Sequence, residues 1–133
     1  MGQSQSIKKV NFEDIQQTIT TNNKYLLINT LKIEEQKCLI KGTISPDKEI
    51  SVINSNLNNT NLRIIIYGKN AADETIYKKY NQLIKLGFYN IYLYPGGVFE
   101  WLLLQDIYGR ENFETTSREL NHLKYKPISI LKN

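Results

Sequence analysis

Three uninterrupted apolar runs, spaced by helical stretches, fix the architecture open to this chain. "YLLINTL" (Tyr25–Leu31), "LRIIIYG" (Leu62–Gly68) and "NIYLYPGG" (Asn90–Gly97) lack polar alternation, the pattern of parallel strands buried on both faces. Between the second and third lies "DETIYKKYNQLIKLG". Its Ile76, Tyr80, Leu83 and Ile84 recur at helical spacing, and Gly87 supplies a C-terminal stop. Between the first and second, "PDKEISVINSNLNN" reads as helix in its first half and Asn-rich loop in its second. The alternation requires an α/β fold, a mostly parallel central sheet flanked by helices.

The flanking segments fit that frame. "FEDIQQTITT" (Phe12–Thr21) places Phe12, Ile15 and Ile19 on one helical face. Ile33–Lys37 reads as a helical turn, and Cys38–Ile40 with Thr43–Ile44 as a short strand around Gly42. "VFEWLLLQDIYG" is an apolar helix closed by Gly109. Val98, Trp101, Leu102 and Gln105 mark the face that packs on the sheet. Phe99, Leu103 and Ile107 mark another, which packs on the C-terminal "LKYKPISIL" or on a partner. "TTSRELNHLKY" reads as a last short helix, with Thr116 and Glu119 as a capping box. The 133 residues have room for one core: a flexible tail over residues 1–10, then one domain over 11–133 with a C-terminal extension.

The order and spacing of several short motifs resemble a rhodanese-like domain, a family that also includes the catalytic domains of Cdc25-type phosphatases. "RIIIYG", a helix ending "LGFYNIYLY", and "PGGVFEW" are similar to its second half. Gly87 to Ile91 resembles the family's G-[FY]-x-N-V approach to a strand, and Gly96, Gly97 and Trp101 its GG-x-x-x-W signature. In the first half, Ile40, Gly42, Thr43 and Ile44 resemble I-x-G-A-i, with Thr in the Ala place. The resemblance runs from Phe12 to Ile107 and implies a three-layer fold with structural roles for these glycines and Trp101.

It also implies a chemistry. In active members a Cys ends the central strand and opens a loop into a helix. The loop's N–H groups and the helix N-terminus cradle a persulfide or phosphate and hold the Cys as thiolate. Here the nucleophile position falls on Gly68 by the strand end, and nearer Asn70 counting back from Gly87. The whole loop, Gly68, Lys69, Asn70, Ala71, Ala72, Asp73 and Glu74, contains no Cys, Ser, His or Arg. Asp73 and Glu74 themselves satisfy a helix dipole and repel anions, with Asn70 as helix N-cap. The family's D-x-R after the first strand is Asn29-Thr30-Leu31, so its charged framework is expected to be lost as a unit.

Other residue types give no competing site. The single Cys38 excludes an intramolecular disulfide, fits a reducing compartment and reads as a buried structural thiol. His122, the only His, reads as a surface residue, and no His/Cys/carboxylate spacing suits a metal. "YPGGVF" lacks both nucleotide-binding glycine patterns, so no cofactor is expected. The net charge of +4 is spread over scattered Lys without a dense basic block, which does not favour a nucleic-acid surface. No apolar run is long enough to span a bilayer or to act as a secretory signal.

The remaining functional signal is at the start of the chain. "MGQSQSIKK" matches the myristoylation pattern M-G-x-x-x-[ST], with Gly2 as acceptor, Ser6 in place, and Lys8 and Lys9 following. One such chain gives reversible membrane binding, with K on the order of 10⁴ M⁻¹, and needs a second signal for stable anchoring. The sequence therefore predicts a catalytically inactive rhodanese-like domain. It would serve as a protein-interaction or structural module with an unidentified protein partner, tethered by Gly2 to a cytoplasmic membrane face or belonging to a large DNA virus particle. The alternative is an active sulfurtransferase or phosphatase using a non-standard residue.

Overall fold

The computed structural model describes residues 6–21 and 25–132. Four parallel strands, β1 (Lys8–Lys9), β2 (Tyr25–Asn29), β3 (Arg63–Tyr67) and β4 (Ile91–Tyr94), form one sheet in the order β1-β4-β3-β2. Four helices follow the strands: α1 (Phe12–Thr20), α2 (Pro46–Ser55), α3 (Thr75–Lys85) and α4 (Gly97–Tyr108). The central strand β3 explains why the strand runs look uniformly apolar. Its Ile65 and Tyr67 pack with Ile15 of α1 and Trp101 of α4, while Ile64 and Ile66 pack with Ile53 of α2 and Ile76 of α3. A strand covered on both faces has no side for polar residues.

Local chemistry sets the helix starts. Asn11 Oδ1 accepts from the amides of Glu13 and Asp14 at 2.9 and 3.2 Å, and Asp14 returns a bond to the Asn11 amide at 3.0 Å, a reciprocal capping box. Pro46 stands at the first position of α2 behind the Ser45 cap. Because all four strands point one way, the helix N-termini and the β3–α3 loop share the C-terminal edge of the sheet.

The structure corrects three expectations. The flexible tail expected over residues 1–10 does not extend through residues 8–10, since Lys8 and Lys9 pair with Tyr92 and Leu93 of β4 and the Val10 amide donates to Leu93 O at 2.8 Å. An unpaired parallel edge outcompetes solvent for that backbone. The helix expected over "TTSRELNHLKY" does not form. Thr116 instead bonds to the 37–41 segment: its amide donates to Leu39 O at 2.8 Å, and its hydroxyl accepts from the Leu39 amide at 3.0 Å. The expected capping partner, Glu119, pairs with Lys124 at 2.8 Å, and only a 3-10 turn remains at His122–Tyr125. The short strand expected around Gly42 is reduced to two bridges, Leu27 with Thr43 and Ile40 with Thr115.

Candidate functional site

The loop after β3 is folded around one of its own carboxylates. Asp73 Oδ2 accepts from the Lys69 amide at 2.8 Å, and Oδ1 accepts from the Thr75 amide at 2.9 Å and the Thr75 hydroxyl at 2.6 Å. The carboxylate also occupies the space beside Gly68. A Cβ there would lie 2.5 Å from Asp73 Oδ2, 2.9 Å from Thr30 Oγ1 and 3.0 Å from Ile76 Cγ2. A side chain at the strand end, where the resemblance puts a nucleophile, would therefore require the Asp73 carboxylate to move aside.

Asn70, the other candidate position, is spent on structure. It is buried, its Oδ1 accepts from the Ala72 amide at 2.9 Å, and its Nδ2 donates to Tyr125 O at 2.9 Å. It is not the N-cap of α3, as the sequence led us to expect. The cap position is Glu74, which makes no side-chain bond, and Asp73 takes over the capping of Thr75. An Asx turn at Asn70 separates it from the helix by too many residues to reach its first amides. The amides of Lys69, Ala72, Asp73 and Thr75 all have acceptors within this unit. Ala71 and Glu74 lie on its exposed outer side.

The signature glycines bring α4 onto the same loop. The Val98 and Phe99 amides, orphan donors at the start of α4, donate to Gly68 O at 3.1 Å and Lys69 O at 2.9 Å. The approach requires Gly97, with φ +66: a Cβ there would sit 2.6 Å from Gly68 O. At Gly96 a Cβ would meet the Glu100 carboxylate, which accepts from the Tyr94 hydroxyl at 2.6 Å. Trp101 is fully buried, donates from Nε1 to Glu114 O at 3.0 Å, and meets Phe113 edge-on at 5.0 Å. Gly87 follows the end of α3, and Gly42 forms the turn closed by Thr43 N to Ile40 O at 3.1 Å.

The charged framework is replaced rather than lost outright. Buried Asn29 accepts on Oδ1 from Gln36 Nε2 at 2.7 Å and from the Leu31 amide at 2.9 Å, and returns Nδ2 to Gln36 Oε1 at 3.1 Å. That self-bond ends β2 two residues before the apolar run ends. Beside it, Lys69 Nζ pairs with Glu35 Oε2 at 2.8 Å. Burial pushes the Glu35 carboxyl up, but the Lys69 bond and the Lys32 amide outweigh it and hold it below the usual range.

Sequence reasoning missed three contributors. Gln36 completes the Asn29 clasp. Tyr67, fully buried, accepts from the Ile40 amide at 3.1 Å and shares a 2.7 Å bond with Thr43 Oγ1; burial raises its phenol well above the usual value and keeps it neutral. Tyr125 is buried, and its carbonyl ties the C-terminal segment to Asn70. Its only sequence signal is an aromatic residue in a Lys-rich polar stretch.

A cleft of about 430 Å³ lies over the loop, between Thr30, Lys69 and Asp73 on one side and Lys126, Ile128 and Ile130 on the other. Neither Cys38 nor His122 reaches it. Cys38 is buried in the core, donates to Ser117 O at 3.4 Å, and burial pushes its thiol up, away from thiolate. His122 lines a small separate cleft with Arg110 and Arg118. Among the described residues, no group of three His, Cys, Asp or Glu could hold a metal, and no helix is long and apolar enough to cross a membrane. Gly2 lies outside the described residues.

A parallel sheet sandwiched by helices, with a strand–loop–helix junction at its C-terminal edge, is an arrangement the rhodanese-like class shares with other doubly wound α/β folds. Comparison with solved structures gives the same class. The BH2092 protein from Bacillus halodurans matches with a TM-score of 0.62 at 18% identity, over 90% of this chain and 90% of that one. A protein from Lactobacillus plantarum matches at 0.58 and 18% identity, over 73% of this chain and 83% of that one. A thiosulfate sulfurtransferase from Pseudomonas aeruginosa matches at 0.57 and 19% identity, over 73% of this chain and 19% of its own length. No protein-family model and no curated protein sequence matches the chain. The likeness is one of fold, and the chain has the rhodanese-like three-layer architecture.

Proposed function

We propose that this chain is a catalytically silent domain of rhodanese-like fold that works as an interaction or structural module, tethered to a membrane through an acyl chain on Gly2. The observation that supports silence most is Asp73. Its carboxylate fills the space a nucleophile would need at Gly68 and takes the amides that would otherwise face an anion. A fixed internal anion repels thiosulfate and phosphate at the loop where the fold would cradle them.

Two measurements test this reading. Purified protein is expected to release no thiocyanate from thiosulfate and cyanide, and no phenol from an aryl phosphate, above the level of a Cys38→Ser control. Turnover that exceeds the control would end the proposal of silence. For the tether, intact mass after coexpression with an N-myristoyltransferase is expected to show the acyl adduct, absent in Gly2→Ala. A chain that stays unmodified would remove the tether and leave the rest of the reading in place.

A further inference from the structure

Charge is divided between the two edges of the sheet. The carboxylates of the first helical turns, Glu13 and Asp14 of α1, Asp47 and Glu49 of α2, and Glu100 of α4, gather at the C-terminal edge, where they complement helix dipoles. The opposite edge is made by residues 6–9, 56–63 and 85–92, which contain no Asp or Glu at all. They carry Lys8, Lys9, Arg63 and Lys85, all exposed. Among the described residues the ion pairs use Lys41, Lys69, Lys79 and Lys124, and none of these four cations. Two acidic groups on the α4 side belong elsewhere: Asp106 shares a cleft with Arg110 and Arg118, and Glu111 folds back beside Gly109.

This edge is also structured and apolar-tipped. Lys8 Nζ lies 5.6 Å from the Tyr92 ring centre, Tyr92 meets Tyr25 edge-on at 6.0 Å, and Arg63 lies 5.6 Å over Tyr25. The two neighbouring loops are held together by Asn90 Nδ2 donating to Asn61 O at 3.0 Å and Ile64 N donating to Asn90 O at 2.9 Å. From them Leu57, Leu86 and Tyr89 protrude, 43%, 44% and 58% exposed. Asp14 shares a cleft with Tyr25 and Tyr92, but the segments that form the edge itself carry cations interleaved with projecting Leu and Tyr, which matches the chemistry of a headgroup region more closely than that of a duplex, which offers nothing to a Leu side chain.

The chain also enters the sheet from this side. β1 is parallel to β4, so Ser6 and Ile7, the described residues before Lys8, lie toward the same edge. Five residues lie between Gly2 and Lys8, a reach of at most about 20 Å. We propose that the N-terminal edge of the sheet is a docking face for an anionic phospholipid bilayer, the second signal that a single acyl chain needs. The acyl anchor rests on the tether reading above; the charged face does not. Each cation near an anionic surface contributes about fivefold in binding. Four together raise an acyl-chain K of about 10⁴ M⁻¹ to roughly 10⁶–10⁷ M⁻¹.

The test is flotation of the acylated full chain with vesicles of phosphatidylcholine alone, or with part of it replaced by phosphatidylserine. The combined variant Lys9→Gln, Arg63→Gln, Lys85→Gln is expected to bind phosphatidylserine vesicles about 100-fold more weakly and phosphatidylcholine vesicles unchanged. The control Lys41→Gln, Lys124→Gln is expected to match the parent. Equal binding of parent and triple variant to phosphatidylserine vesicles overturns the proposal. Should the triple variant fold poorly, salt on the parent serves instead: added NaCl is expected to abolish the preference for phosphatidylserine, and an unchanged preference overturns it. Gly2→Ala separates the two readings. If it binds like the parent while the triple variant still loses the preference, the tether fails and the docking face stands. A duplex oligonucleotide that displaces the protein from vesicles at equal phosphate concentration overturns the choice of lipid.

Discussion

Replacing Gly97 with Ala is expected to destabilise the domain by about 2–5 kcal/mol, the sum of a left-handed backbone penalty and overpacking. The backbone at Gly97 has φ +66, and the added methyl would sit 2.6 Å from Gly68 O, 2.9 Å from Lys69 C and 3.0 Å from Asn70 N. All three are backbone atoms in a loop pinned from both ends, so no side chain can rotate away. The Val98–Gly68 and Phe99–Lys69 bonds must lengthen as the helix withdraws. Urea unfolding of Gly97→Ala beside the parent measures the loss. A midpoint within error of the parent would show that the loop and α4 do not touch as described. Set against a typical domain stability of about 5–15 kcal/mol, this single methyl is a large fraction.

The second large effect is expected at Asp73. Asp73→Ala removes three hydrogen bonds to a carboxylate and leaves the Lys69 and Thr75 amides without acceptors, a loss of about 2–4 kcal/mol for a half-exposed group. The same change empties the space beside Gly68. Gly68→Ala, which meets Asp73 Oδ2 at 2.5 Å in the parent, is therefore expected to cost about 1 kcal/mol less in the Asp73→Ala background. The freed amides are expected to accept an external anion, so sulfate should raise the melting temperature of Asp73→Ala by more than that of the parent. Strictly additive Gly68→Ala and Asp73→Ala effects, together with equal sulfate shifts, would refute the view that Asp73 stands in for an anion.

The parts of this protein legible in its sequence are those set by period and by local backbone needs. The two-sided strands around Leu27, Ile65 and Leu93, the Ile76–Leu83 face of α3 and the glycine pair before Trp101 were all readable. The absence of Cys from the loop after β3 was readable as well, because composition needs no geometry. Three further features escaped. The Asn29–Gln36 clasp joins residues whose amides carry no pattern. The Thr116 hydroxyl chose a neighbouring segment over a helix start. Tyr125 is buried by contact with a loop 55 residues away. Thr116 and Tyr125 bond to segments 77 and 55 residues away, and Asn29 to Gln36 seven residues on, each satisfying a donor or acceptor that the fold removes from water.

The sequence by itself determined the α/β alternation, the absence of Cys from the loop after β3 and the acylation pattern at Gly2. Only the tertiary structure decided what occupies the space beside Gly68 and where the cations gather. Apolar periodicity is a local property of the chain and survives without coordinates. The fit of Asp73 against Gly68 and the grouping of Lys9, Arg63 and Lys85 on one edge depend on parallel strands returning distant segments to the same end of the sheet, and short-range pattern carries no record of that return.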